Sequence, residues 1–126
     1  MKKYERLEIF KANLIKIVER EKGGFVVFEA SPEKFVQFGG DKEFGLVCDI
    51  PLAELSKEEE KRLLTLKEFS KAEGSRDANS NDLIAYQTFY NEEEVNQAAG
   101  LTERIFVEVF GFPNTYNVVT KLNLNK

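Results

Sequence analysis

Apolar residues recur at three- and four-residue spacing along residues 3–22: Leu7, Phe10, Leu14, Ile17 and Val18. That is the period of one helix face, and it predicts an amphipathic helix. Glu5, Arg6, Glu19 and Arg20 fall off the stripe, on the side expected to meet water. Lys22-Gly23-Gly24 ends the segment, with glycine where a left-handed residue closes a helix.

The period then shortens to two. Residues 25–30, FVVFEA, predict a first strand, and Ser31-Pro32-Glu33 a turn. Residues 34–38 predict a second strand, rich in side chains that suit a pleated surface. Gly39-Gly40-Asp41 supplies the next turn. In the third strand, 44–50, Phe44, Leu46, Cys48 and Ile50 share one face, and Gly45, Val47 and Asp49 the other. Connections this short make the three strands an antiparallel meander with one face on a core. Pro51 stops the third strand. Lys34, Asp41, Lys42 and Glu43 are candidates to guard an exposed sheet edge with charge.

Ser56-Lys57-Glu58-Glu59 has the form of a capping box and opens a helix expected over 56–73. Leu63, Leu64, Leu66 and Phe69 are its apolar positions. Residues 74–82, GSRDANSND, read as a polar loop. Residues 83–90, LIAYQTFY, read as a fourth strand, with Ile84, Tyr86 and Tyr90 on one side and Leu83, Ala85 and Phe89 on the other. Asn91 begins a third helix, with Glu92, Glu93 and Glu94 favourable at its positive end. Its stripe is Val95, Ala98, Ala99, Thr102, Ile105, Phe106, Val109 and Phe110. Gly100 is a weak point where a kink or a break is expected. Gly111 and Pro113 close the helix, and Tyr116-Asn117-Val118-Val119 suggests one more short strand. The expected fold is therefore α+β, a single domain over 1–126. A meander of three strands plus one or two more is flanked by helices, in the order α-β-β-β-α-β-(β)-α.

Composition narrows the chemistry. With 126 residues the chain is long enough for one core that needs no staple. Eleven phenylalanines and no tryptophan predict a core built on phenylalanine. The net charge of −4 argues against nucleic acid as a partner. Lys2, Lys3, Arg6 and Lys11 are basic neighbours, read as a solvated helix face. A single cysteine, Cys48, closes no disulfide within the chain, which fits a cytoplasmic setting. It sits on the apolar face of its strand and reads as a small buried hydrophobe. No apolar run follows Met1-Lys2-Lys3, so a signal peptide is not expected. No run approaches the ~18 apolar residues of a membrane span.

Histidine is absent, so Ser-His-Asp and Cys-His pairs cannot form, nor can zinc sites that require histidine. Asp77, Asn79 and Asn81 have the opening rhythm of a calcium loop, but Asp82 and Thr88 stand where glycine and glutamate are needed. Gly39-Gly40 lacks the rest of a dinucleotide or P-loop signature. Glu58-Glu59-Glu60 and Glu92-Glu93-Glu94 are explained by helix dipoles. No catalytic residue, cofactor or metal is expected.

Three segments together resemble the TY-Chap proteins, a bacterial group related in fold to the YbjN-like proteins and to type III secretion chaperones. Phe35-Val36-Gln37-Phe38, followed by Phe44-Gly45-Leu46-Val47-Cys48-Asp49, is similar to the family's "yvQf" strand and the strand after it. Ser56–Glu73, then Asn81 and a strand, is similar to its helix, turn and asparagine. Leu101 through Phe110-Gly111-Phe112-Pro113 resembles its "L..vFGvp" ending. The chain departs from the family by having Phe69-Ser70-Lys71-Ala72 where Leu-Gly-Phe/Trp-x-x-Pro is usual. The resemblance implies a small acidic α+β protein without catalytic residues that binds other proteins, often as a homodimer.

These readings converge on a non-enzymatic, chaperone-like domain that holds an extended segment of a partner protein. Its candidate contacts are Phe25, Phe28, Phe35, Phe38 and Tyr86. The alternative is an acidic immunity or antitoxin-type inhibitor, with Glu58, Glu59, Glu60, Glu92, Glu93 and Glu94 against a cationic site.

Overall fold

The computed structural model describes residues 1–126. Along the chain run α1 (Lys3–Val18), β1 (Gly24–Ser31), β2 (Lys34–Asp41), β3 (Gly45–Pro51) and α2 (Lys57–Leu63). They are followed by β4 (Gly74–Arg76), β5 (Leu83–Tyr90), α3 (Val95–Arg104) and β6 (Val119–Leu124). All six strands form one antiparallel sheet in the order β4-β5-β3-β2-β1-β6. The class is α+β, and β1, β2 and β3 are the expected meander.

Alternation decides which face is covered. Val26, Phe28, Val36, Phe38, Leu46, Cys48, Ile50, Tyr86 and Tyr90 are buried on one face. They form one cluster with Phe10, Leu14 and Ile17 of α1, Leu63 of α2, and Ala98 and Leu101 of α3. Phe10 lies edge-on to Phe28 at 4.8 Å. On the other face of the strands only the small Gly45 and Ala85 are buried; no large side chain is. The helices therefore cap one side of the sheet and leave the other open.

Several boundaries differ from the sequence reading, each for a local reason. The first helix stops at Val18 rather than near Lys22. Gly23, at φ 60°, then turns the chain so tightly against β2 that a Cβ there would lie 1.9 Å from the Gly40 oxygen. The second helix is only seven residues long. Its capping box is present: Ser56 Oγ accepts from the Glu59 N–H at 3.1 Å, and Glu59 accepts from the Ser56 N–H at 2.8 Å. It ends where the Thr65 hydroxyl donates to the Arg62 carbonyl at 2.6 Å, competing with the helix ladder. The segment read as a loop contains β4, whose three residues pair with β5. The last strand lies after α3 at Val119–Leu124, not at 116–119, and completes the sheet beside β1. Lys34, Asp41, Lys42 and Glu43 guard no edge, because β2 is internal and the edges are β4 and β6. Phe44 lies just outside β3 and is exposed instead of joining Leu46, Cys48 and Ile50.

Gly100 does not break α3, which runs through it. The irregularity comes later, at Ile105–Val109, where the helix widens by a residue. The Phe110 N–H reaches back five residues to the Ile105 carbonyl at 3.0 Å. Widening brings Ile105, Phe106 and Val109 all into the core. Phe106 then packs among Phe10, Phe110, Phe112 and Tyr116, with ring centroids 5.2–6.3 Å apart.

Arg6 is the largest departure from expectation. It is not on a solvated face but fully buried. Its guanidinium meets the buried Glu103 carboxylate through Nε at 2.9 Å and Nη2 at 2.6 Å. Nη1 donates to the carbonyls of Asn114 at 2.9 Å and Tyr116 at 3.1 Å. The Tyr116 ring stacks 3.9 Å from the guanidinium carbon, and its hydroxyl donates to Glu103 at 3.2 Å. One cation thus ties α1, α3 and the segment leading into β6. Glu103 holds the guanidinium charged by raising its already high pKa further, against the opposing effect of burial.

Removing one partner of this pair strands a buried charge. Arg6→Met is expected to cost about 3–5 kcal/mol; adding Glu103→Leu removes the stranded charge and recovers part of that loss, while the Asn114 and Tyr116 carbonyls stay without their donor. Urea unfolding of the three proteins measures it; equal losses in the single and double variants would contradict the assignment.

Candidate functional site

The open face is ordered by strand register. One row across it reads Asn123 (β6), Phe25 (β1), Gly39 (β2), Val47 (β3) and Phe89 (β5). The next row reads Lys121, Val27, Gln37, Asp49 and Gln87. Phe25 is 48% exposed and Phe89 59%. Phe44, 57% exposed at the turn before β3, packs edge-on against Phe89 at 6.0 Å. Val27, Phe35 and Val47 are half-buried among them. Phe25, Phe44 and Phe89 thus stand on a sheet face without a covering layer.

Polar groups on the face are held in place. Asp49 accepts from the Gln37 side-chain amide at 2.9 Å and from that of Gln87 at 2.8 Å. Glu29 pairs with Lys121 at 3.0 Å. Glu29 and Asp49 are thus engaged separately, on strands divided by β2.

The five aromatic contact candidates divide. Phe25 lies on the open face, and Phe35 is half-buried on the same side. Phe28, Phe38 and Tyr86 point into the core and cannot touch a partner while the domain is folded, which corrects the expectation for these three. Their even-numbered positions fall on the helix-covered side of the alternation. Tyr86 donates its hydroxyl to Glu60 at 2.9 Å, and burial first, then that carboxylate, raises the phenol pKa. Phe89 and Phe44 join Phe25 instead; strand parity already separates Phe89 from Tyr86 and Tyr90.

The acidic triplets are partly consumed by the fold. Burial pushes the Glu59 carboxyl up, but Lys34 at 2.6 Å and the Ser56 amide more than offset this and hold it below the usual range. Glu60 receives Tyr86, and Glu94 caps the Asn91 N–H at 2.9 Å. Glu58, Glu92 and Glu93 remain exposed. Asp77 closes a local turn by accepting the Asn79 and Ser80 N–H groups at 2.7 and 3.1 Å, as a polar loop does.

Cys48 is fully buried, and desolvation pushes its thiol well above the ordinary range, so it is not a ready nucleophile. A cleft of about 580 Å³ lies between residues 67–74 and β5, lined by Lys67, Lys71, Glu73, Arg76 and Gln87. Beside it, the Arg104 fork grips Glu68 and holds that carboxyl below its usual pKa. No helix is long and apolar enough to cross a membrane.

Comparison with protein-family models finds no match, and comparisons with curated proteins and with solved structures find none.

The two faces predict opposite responses to substitution. Phe28→Ala removes a fully buried ring and is expected to cost about 3–5 kcal/mol. Phe89→Ser touches an exposed ring and is expected to change stability by about 0.5 kcal/mol or less. Urea unfolding midpoints check both; a large loss for Phe89→Ser would mean that the face is covered.

Proposed function

We propose that the chain is a non-enzymatic, chaperone-like protein-binding domain that holds an extended apolar segment of a partner protein on its open sheet face. The observation that carries this is the exposed aromatic row, Phe25 and Phe89 about Val47, with Phe44 alongside. Such a surface favours burial by about 25 cal/mol for each Å² of apolar area removed from water. Net charge of −4 keeps the domain soluble while that surface waits for its partner. The resemblance to TY-Chap and YbjN-like proteins points the same way, and a cytoplasmic setting fits the buried, unpaired Cys48. The acidic-inhibitor alternative is weakened because Glu59, Glu60 and Glu94 already serve the fold.

A photo-crosslinking residue in place of Phe89, compared with one at the exposed Lys16 of α1, tests the reading in cells. A partner captured at position 89 and not at 16, through a segment of apolar residues, is the expected result. That complex is expected to persist in about 1 M salt, where exposed charge pairs are screened. Capture of nothing but a second copy of this chain, or dissociation on adding salt, would contradict it.

A further inference from the structure

The open face is not uniformly apolar, and its one depression has a defined chemistry. Gly39 stands in the aromatic row between Phe25 and Val47, on neighbouring strands. Without a side chain there, a hollow of about 300 Å³ remains, bounded by Phe25, Val47, Gln37, Asp49 and Gln87. Nothing in the backbone demands glycine at this position. A Cβ would meet only the Gly24 oxygen at 3.9 Å and the Phe25 Cβ at 4.0 Å, and Gly39 is not in the left-handed region. The glycine thus keeps a space open that a side chain would occupy without strain.

At the edge of that space stands the Asp49 carboxylate. Its two oxygens each take one amide donor, from Gln37 and Gln87, which fixes the group in orientation. A carboxylate has about four acceptor positions, so half of them remain. The ion pairs of the chain are Arg6–Glu103, Lys11–Glu8, Lys34–Glu59, Arg104–Glu68 and Lys121–Glu29, and none involves Asp49. An oriented anion, half-buried on an apolar face and without a cation, is complementary to a planar cation with an apolar stem. The chain's net negative charge adds a favourable field for a basic segment.

We infer that the Gly39 hollow is a specificity pocket for an arginine of the partner segment. The guanidinium meets Asp49, the aliphatic stem lies between Phe25 and Val47, and the neighbouring apolar residues cover Phe89 and Phe44. This inference rests on the docking reading above and names the feature by which the face selects a segment.

The test uses two synthetic peptides, acetyl-Leu-Val-Arg-Val-Leu-amide and the same sequence with citrulline, the neutral isostere of arginine. Each is titrated into the full chain while the side-chain amide resonances of Gln37 and Gln87 are followed. The arginine peptide is expected to shift both amides and to bind on the order of tenfold more tightly than the citrulline peptide. Asp49→Asn, which keeps the shape of the site, is expected to erase that difference. Gly39→Val, which fills the hollow, is expected to weaken the arginine peptide by a similar factor. Circular dichroism establishes that both variants are folded. Equal binding of the two peptides, lost in Phe25→Ser with Phe89→Ser, overturns the pocket and leaves the docking face standing. An arginine preference that survives Asp49→Asn also overturns it. Binding of neither peptide overturns the pocket and counts against the docking face as well.

Discussion

All the helices lie on one side of the sheet, and the pleat itself imposes this. In β1, β2 and β3 alternation brings Val26, Phe28, Val36, Phe38, Leu46, Cys48 and Ile50 to one face, where they form a continuous oily surface. Covering it takes α1, α2 and α3, which leaves no helix for the opposite side. The chain buries those side chains and leaves Phe25, Val27, Val47 and Phe89 without a layer. Hydrophobic burial is the main favourable term in folding, so this division of faces determines both what is stable and what stays available.

Burial alone does not hold the covering layer in register with the sheet. The Arg6–Glu103 pair does so by joining three parts of the chain that are distant in sequence. Arg6 donates to backbone carbonyls at Asn114 and Tyr116, directly before the residues that enter β6. The same contact that packs α1 on α3 therefore directs the last strand to the edge of β1. A hydrophobic side chain at position 6 could fill the space but could not satisfy those carbonyls, which is a reason for a charged group in so dry a place.

Strands β1, β2, β3 and β5 and the Ser56 capping box were legible in the sequence because their signals are local: alternation, Gly-rich turns, and Ser followed three residues on by Glu. What was not legible depends on tertiary partners. Arg6 sits one residue before the apolar stripe begins, and only the distant Glu103 and Tyr116 make its burial tolerable. The three residues of β4 carry no strand pattern and exist by pairing with β5. The widened turn at Ile105–Val109 answers the need to bury Ile105, Phe106 and Val109 together, a demand of packing rather than propensity. On the candidate face, parity separates Phe89 from Tyr86, so that part could be read from the strand alone. Which side the helices would cover could not, and Phe28, Phe38 and Tyr86 fell on the covered one. The Gln37–Asp49–Gln87 ladder needs the register of three strands and has no local signature.

Fluorine NMR of the chain carrying 4-fluorophenylalanine at its eleven phenylalanine positions tests the division of faces most directly. A soluble paramagnetic agent is expected to broaden the resonances of Phe25, Phe44 and Phe89 strongly, and to leave Phe10, Phe28, Phe38 and Phe106 sharp. Sharp, protected signals from Phe25 and Phe89, or strong broadening at Phe28 and Phe38, would contradict a sheet that is covered on one side and open on the other.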